Sequence, residues 1–276
     1  MMSRQLGINT YSYIWSMAAA DCVRHLVGMG FRHFELMINP PHLSLDESPA
    51  ARRELKAVMD ETGAKATALN MPSLDHNLAS PVARVREASI AMFNDAIDLA
   101  ADLGAEWLVV VPGRMNPLFP PPKAERLKWI VDSVAALVPR AEARGVGLAI
   151  ENVPFSSFPD AKSLGEFARG FKSRAVGVCY DAANAHFVGE APGQGIAMLA
   201  DVLRVMHVSD TRREVWRHDR VGLGSVPFGE VAQALNAISY EGVRTMEIID
   251  ANADDAMRES HRALVKLGFA QQGAVA

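Results

Sequence analysis

The feature that most limits what this chain can become is its regular alternation of short apolar runs with longer segments of helical period. The runs fall near 5–9, 31–37, 65–70, 107–112, 147–151, 175–180, 202–206 and 242–246. Each is long enough for a buried strand and is bounded by glycine, proline or asparagine. Between them lie helix patterns. One near 19–29 stops at Gly30, and another opens on Ser48 as N-cap with Pro49 behind it and closes at Gly63, with Leu55, Val58 and Met59 facing inward. A third, 81–103, carries Val85, Ile90, Phe93, Ile97 and Ala100 at helical spacing. A fourth follows Pro120–Pro122 with Leu127, Ile130, Val131, Val134 and Leu137 on one stripe, and Pro139 should kink it or end it early. Shorter helices are expected near 163–167 and 196–200, and longer ones over 228–238 and 254–267, with 270–276 as a loose tail.

Eight strand–helix units in 276 residues suit a (β/α)8 TIM barrel, read as one domain over 1–276. An open doubly wound sheet is the other architecture this alternation allows, but about six strands would complete it.

In such barrels chemistry gathers at the carboxyl ends of the strands. Four successive runs end there in an ionisable residue: Glu151, Asp181, His207 and Glu247. A parallel strand buried on both faces has no polar side, so a carboxylate there is misplaced unless it serves chemistry. Three carboxylates meeting without a cation would repel one another. With the imidazole they form an oxygen-rich donor set suited to one divalent ion, Mn2+, Mg2+, Co2+ or Zn2+. Asn184 and His186 follow Asp181 closely enough to contact a substrate, and Arg217, His218 and Arg220 lie in a charged loop that Gly222-Leu223-Gly224 could fold back over the rim. Trp15, after the first strand, and Asn70, ending the third, are further candidates for substrate contact, and Arg114 is a candidate anion contact.

Charge and composition narrow the partners. A net charge of -4 opposes binding to a phosphate backbone, so no nucleic-acid partner is expected. No run approaches the roughly 20 apolar residues of a membrane span. Cys22 and Cys179 are too few for a disulfide framework or a thiolate zinc site. The first residues lack a signal-peptide core, which points to a reducing, cytoplasmic setting. A small molecule is the expected partner, and a homo-oligomer is left open.

The pattern Glu151-Asn152, Asp181-x-x-Asn184, His207-x-x-Asp210, Gly222-x-Gly224 and Glu247 resembles the xylose-isomerase-like TIM-barrel superfamily. That group includes D-tagatose 3-epimerase, hydroxypyruvate isomerase, inosose dehydratase and endonuclease IV, and the resemblance spans nearly the whole chain. It implies that Glu151, Asp181, His207 and Glu247 hold one divalent ion while Glu151 and Glu247 double as acid and base. It further implies proton abstraction alpha to a carbonyl through a metal-stabilised enediolate, giving a sugar or keto-acid isomerase or epimerase. Loss of a beta-hydroxyl from the same species would make a dehydratase of the inosose or dehydroshikimate type. A carbohydrate-binding barrel without catalysis is the reading from another class. Departures from the family pattern matter too. Asn70 and Val111 stand where the endonuclease has zinc-binding histidines, which argues against DNA repair. Asn184 replaces a histidine found in many epimerases, and His218 replaces an arginine, so the substrate is not fixed by the pattern.

Overall fold

The computed structural model describes residues 5–116 and 118–270. The tail expected at 270–276 lies, apart from Ala270, outside the described residues. Eight strands form the barrel: β1 Leu6–Asn9, β2 His33–Met37, β3 Lys65–Asn70, β4 Trp107–Val110, β5 Gly147–Glu151, β6 Val176–Asp181, β7 Leu203–Val208 and β8 Arg244–Met246. All are parallel and ordered as in the sequence, and the barrel closes where β8 pairs with β1. Around it run α1 Ala19–Gly28, α2 Pro49–Thr62, α3 Ala83–Leu103, α4 Lys123–Arg144, α5 Ala161–Gly170, α6 Ala182–Phe187, α7 Pro192–Met198, α8 Phe228–Ala237 and α9 Ala253–Lys266. The expected (β/α)8 TIM barrel is the observed fold.

Local chemistry accounts for most boundaries. Ser48 Oγ accepts from Ala51 N at 3.2 Å with Pro49 in the first turn, and Gly63 ends α2 with φ at 68°. Three expectations need correcting. The fourth helix does not end at Pro139 but continues to Arg144, because Ile130, Val134, Leu137 and Ala141 are fully buried and anchor it on both sides of the ring. Val85 and Val131, expected on apolar stripes, are 38% and 43% exposed, since the helices lean on the barrel along narrower faces. Residues 182–187, where no helix is expected, form α6, capped by Asp181 itself.

Along each strand, side chains alternate between the helix layer and the barrel interior. Leu148 and Ile150 of β5 belong to the large core under the helices. Ala149 points the other way, into a small interior layer with Ala68, Val109, Cys179 and Val205. The next inward positions toward the carboxyl ends are Asn70, Glu151, Asp181 and His207. Small residues in the layer below leave those polar side chains room to meet on the axis. The β2–β3 register slips between Phe34 and Glu35, and the β6–β7 register between Val178 and Cys179. Irregularities of this kind re-aim side chains beside functional sites. Among the described residues no helix is long and apolar enough to cross a membrane.

Candidate metal centre

Among the described residues, Glu151, Asp181, His207 and Glu247 each offer a ligand atom within 4.8 Å of the others, and all four are buried. His207 Nδ1 lies 3.3 Å from Glu151 Oε1, 3.0 Å from Glu247 Oε2 and 4.0 Å from Asp181 Oδ2. Three of these atoms, Asp181 Oδ2, His207 Nδ1 and Glu247 Oε2, are buried without a hydrogen-bond partner. Buried polar atoms are nearly always satisfied, so three orphans converging on one point make this cluster a candidate cation site. The donor set, three carboxylate oxygens and one imidazole, fits a hard or borderline divalent ion.

What each ligand does with its remaining atoms fixes its aim. Asp181 Oδ1 accepts from Asn184 N at 2.6 Å as the cap of α6, which turns Oδ2 toward the centre. Asn152 clamps the same residue, accepting from Asp181 N at 2.7 Å and donating to Asp181 O at 3.0 Å. His207 Nε2 meets Glu35 Oε2 at 2.8 Å, leaving Nδ1 for the centre. Asn9 and Asn70 donate to the other oxygen, Glu35 Oε1, at 2.7 and 2.9 Å, and Asn9 Nδ2 also reaches Glu247 Oε1 at 3.3 Å. Metal-binding histidines commonly lean on such a carboxylate, which sets the tautomer and the ring orientation.

Glu35 is fully buried and was missed from the sequence. The signal was present. A glutamate inside Phe34-Glu35-Leu36-Met37 breaks an apolar run just as Glu151 does, but mid-strand rather than at its end.

The electrostatics separate the two glutamates. Burial, then the charge of Glu247, pushes Glu151 up to about 7. Burial pushes Glu247 up as well, but the imidazoles of His207 and His218 outweigh it and hold Glu247 at about 2. Burial raises Asp181 to about 6 against the pull of His218. His207 is held well above its usual value despite burial by Cys179, Glu35 and Glu247 around it.

A cavity of about 380 Å³ opens above the cluster, lined by Glu151, Glu247, Asn70, Asn184, Trp216 and His218 among others. The loop after β7 builds one wall. Asp210 anchors it by accepting from Gly222 N at 2.8 Å and from Val226 N at 3.1 Å. Gly222 has φ of 105°, and a Cβ on Gly224 would stand 2.3 Å from Asp210 Oδ1. The loop so folded returns His218 to 3.4 Å from Glu247 Oε2, as the glycine pair suggested. It also returns Trp216, whose Nε1 donates to Asn184 Oδ1 at 2.7 Å and whose ring meets Phe155 and Phe187.

Of the other candidates, Arg114 reaches the cavity wall. His186 lies behind it, bonded to Ser225 Oγ at 2.9 Å. Arg217 is mostly exposed and 3.9 Å from Asp219, and Trp15 is 76% exposed; neither lines the cavity. The aromatic wall comes from Tyr11, in the turn after β1, and from Trp216 and Phe155, brought in by loops whose folding no local pattern reveals. A second cavity of about 390 Å³, with Lys65, Trp107 and Arg204 in its lining, opens at the amino-terminal end of the strands and holds none of the cluster.

Comparison with known proteins agrees with this geometry. The sequence profile described as xylose isomerase-like TIM barrel matches residues 23–267. A protein of Methanocaldococcus jannaschii known only as uncharacterized MJ1311 is 29% identical over 198 residues, 69% of this chain and 66% of that protein's length, just under two thirds. The D-psicose 3-epimerase of Ruminiclostridium cellulolyticum is 24% identical over 242 residues, covering 84% of this chain and 79% of that enzyme. A crystal structure of a D-tagatose 3-epimerase-like protein superposes with a TM-score of 0.84 at 24% identity, over 95% of this chain and 96% of that one. The chain therefore belongs to the xylose isomerase-like TIM-barrel family.

Proposed function

We propose that this protein is a divalent-metal-dependent sugar isomerase or epimerase that moves a proton on a carbon next to a carbonyl. The observation that carries the reading is the meeting of three unpartnered buried atoms with Glu151 at the floor of a cavity sized for a small molecule. The likeness to a D-psicose 3-epimerase supports a carbohydrate substrate. Glu151, Asp181, His207 and Glu247 would hold the ion, Mn2+, Mg2+, Co2+ or Zn2+ by the donor chemistry. When bound, it supplies Lewis-acid stabilisation of the charge that grows on the carbonyl oxygen.

The two glutamates divide the proton work: one of Glu151 and Glu247 takes the carbon-bound proton and the other returns a proton. Return to the same carbon from the other face inverts it; return to the neighbouring carbon interconverts aldose and ketose. His218 and Asn184 line the cavity beside these groups and can bind substrate hydroxyls, while Trp216 and Phe155 wall its apolar side.

Exchange of substrate carbon-bound hydrogen with deuterated water tests the proposal, read by NMR across ketoses, 2-keto acids and inososes with metal supplied. Exchange is expected with at least one ketose, and Glu151→Gln or Glu247→Gln should slow it roughly 100- to 10,000-fold with the fold intact. No exchange anywhere in the panel would favour a binding protein. Activity within about tenfold of wild type in either variant would defeat the assignment of roles.

A further inference from the structure

The core-facing stripe of α4 is Ile130, Ser133, Val134, Leu137 and Ala141, and one turn before it, in the same phase, stands Arg126. Arg126 is 8% exposed. Its Nε is buried without a partner, and among the described residues no hydrogen bond or ion pair reaches its guanidinium. Burial pulls the group down from its ordinary value. A guanidinium whose Nε is buried without a partner, and whose other nitrogens open onto a cavity with no counter-charge paired to it, is a ready anion ligand.

The guanidinium borders a cavity of about 490 Å³ between α4 and the loop joining β5 to α5. Ser157 on that loop is 6% exposed, and its Oγ is a second buried atom without a partner in the same cavity. Ser156 Oγ accepts a long bond from Phe158 N at 3.4 Å and keeps its own proton for a ligand. Lys123, exposed one turn earlier on α4, stands at the rim. Two acids share the lining. Asp160 is committed to Ser163, accepting from its N and its Oγ, and Glu166 forms no ion pair with Arg126.

We propose that Arg126, Ser156 and Ser157 form a binding site for a phosphate group, separate from the metal centre. A carboxylate would exhaust its two oxygens on the guanidinium fork. A phosphate has further terminal oxygens for the two hydroxyls, and the volume leaves room for an attached organic group. The site backs directly onto the substrate cavity. The loop that offers Ser156 and Ser157 on one side offers Phe155 on the other, and Met115 borders both spaces. Met115 N also donates to Phe155 O at 3.0 Å. A phosphate held here would therefore brace the wall of the substrate cavity.

The test is titration of the full-length protein with inorganic phosphate, glycerol 3-phosphate and acetate, followed by calorimetry and thermal melting, with Arg126→Met and Ser157→Ala alongside. Phosphate should bind and raise the melting temperature, Arg126→Met should weaken it at least tenfold, and Ser157→Ala should weaken it measurably. Tighter binding of glycerol 3-phosphate than of inorganic phosphate would identify a phosphorylated metabolite as the occupant; the reverse order would identify the free ion. In phosphate-free buffer Arg126→Met should melt no lower than wild type, because it removes an uncompensated charge. No binding at millimolar phosphate, wild-type phosphate affinity in both Arg126→Met and Ser157→Ala, or acetate binding as tightly as phosphate would each overturn the proposal. Phosphate captured by the metal centre would be blind to both variants.

Discussion

Replacing Glu35 by glutamine should disable the metal centre without touching a ligand. In the native arrangement Glu35 accepts three bonds: from His207 Nε2 on Oε2, and from Asn9 and Asn70 on Oε1. A glutamine has one accepting oxygen and one donating nitrogen. If its oxygen faces the two asparagines, its NH2 confronts His207 Nε2–H, and the ring must move its proton to Nδ1 to accept. That proton then occupies the position aimed at the cation. If the amide turns the other way, two buried donors, Asn9 and Asn70, face a third, at about 1–3 kcal/mol for each group left unsatisfied. The first arrangement costs less, so the tautomer should switch. Loss of such an outer partner weakens metal binding about 10- to 100-fold, or about 1.4–2.7 kcal/mol. Competition with a chelator would measure the affinity for Mn2+ or Zn2+, and 15N spectra of the imidazole would report the tautomer. A Glu35→Gln protein that melts lower yet binds metal within about threefold of wild type would refute the reasoning, leaving Glu35 a structural residue only.

Other consequences follow from the same geometry. Because Glu151 is pushed up to about 7 and Asp181 to about 6, the cation must displace protons below neutrality. Affinity should therefore rise from about pH 6 to about pH 8, with more protons released at the lower pH in calorimetry across buffers; equal affinity at both would contradict it. With chelator present, the contribution of Glu151 to stability is full below its unfolded value of 4.5 and is lost as pH rises through about 7, so melting temperature should fall over that window until a divalent ion is added. Gly224→Ala puts a Cβ 2.3 Å from both Asp210 Oδ1 and Thr211 O. It should cost about 2 kcal/mol, read as a melting drop of roughly 4–8 °C; a neutral change would show that the loop is not anchored through Asp210. Trp216→Ala should raise KM for the substrate about tenfold while leaving metal affinity unchanged, and an unchanged KM would remove Trp216 from the substrate wall.

Much of the site was legible because it obeys a rule of the fold. Glu151, Asp181 and Glu247 stand at strand ends where an apolar run turns ionisable, and that contrast is a property of neighbours in sequence. His207, inside β7 rather than beyond it, fits the same rule less cleanly. Glu35 sits one register deeper, so nothing about a strand end pointed to it. Trp15 looked suitable as an aromatic at the barrel mouth, yet the turn after β1 leaves it in solvent, and the loop after β7 delivers Trp216 instead.

What the sequence determined by itself is the architecture. Alternating strand and helix periods, punctuated by Ser48, Gly63 and Gly104, point to a parallel β/α fold, and eight strands suit a closed barrel better than an open doubly wound sheet. It also determined which residue types would reach the rim. Only the tertiary structure decided which atoms meet. The orientation of His207 depends on a glutamate 172 residues away, and the orphaned atoms of Asp181 and Glu247 form a candidate cation site by converging from separate strands. Likewise, Arg126 is a helix surface residue by its sequence, while packing leaves it largely covered and without an ion pair among the described residues. Hydrophobic period is local and survives in the chain, whereas electrostatic pairing depends on distances that exist only after the barrel has closed.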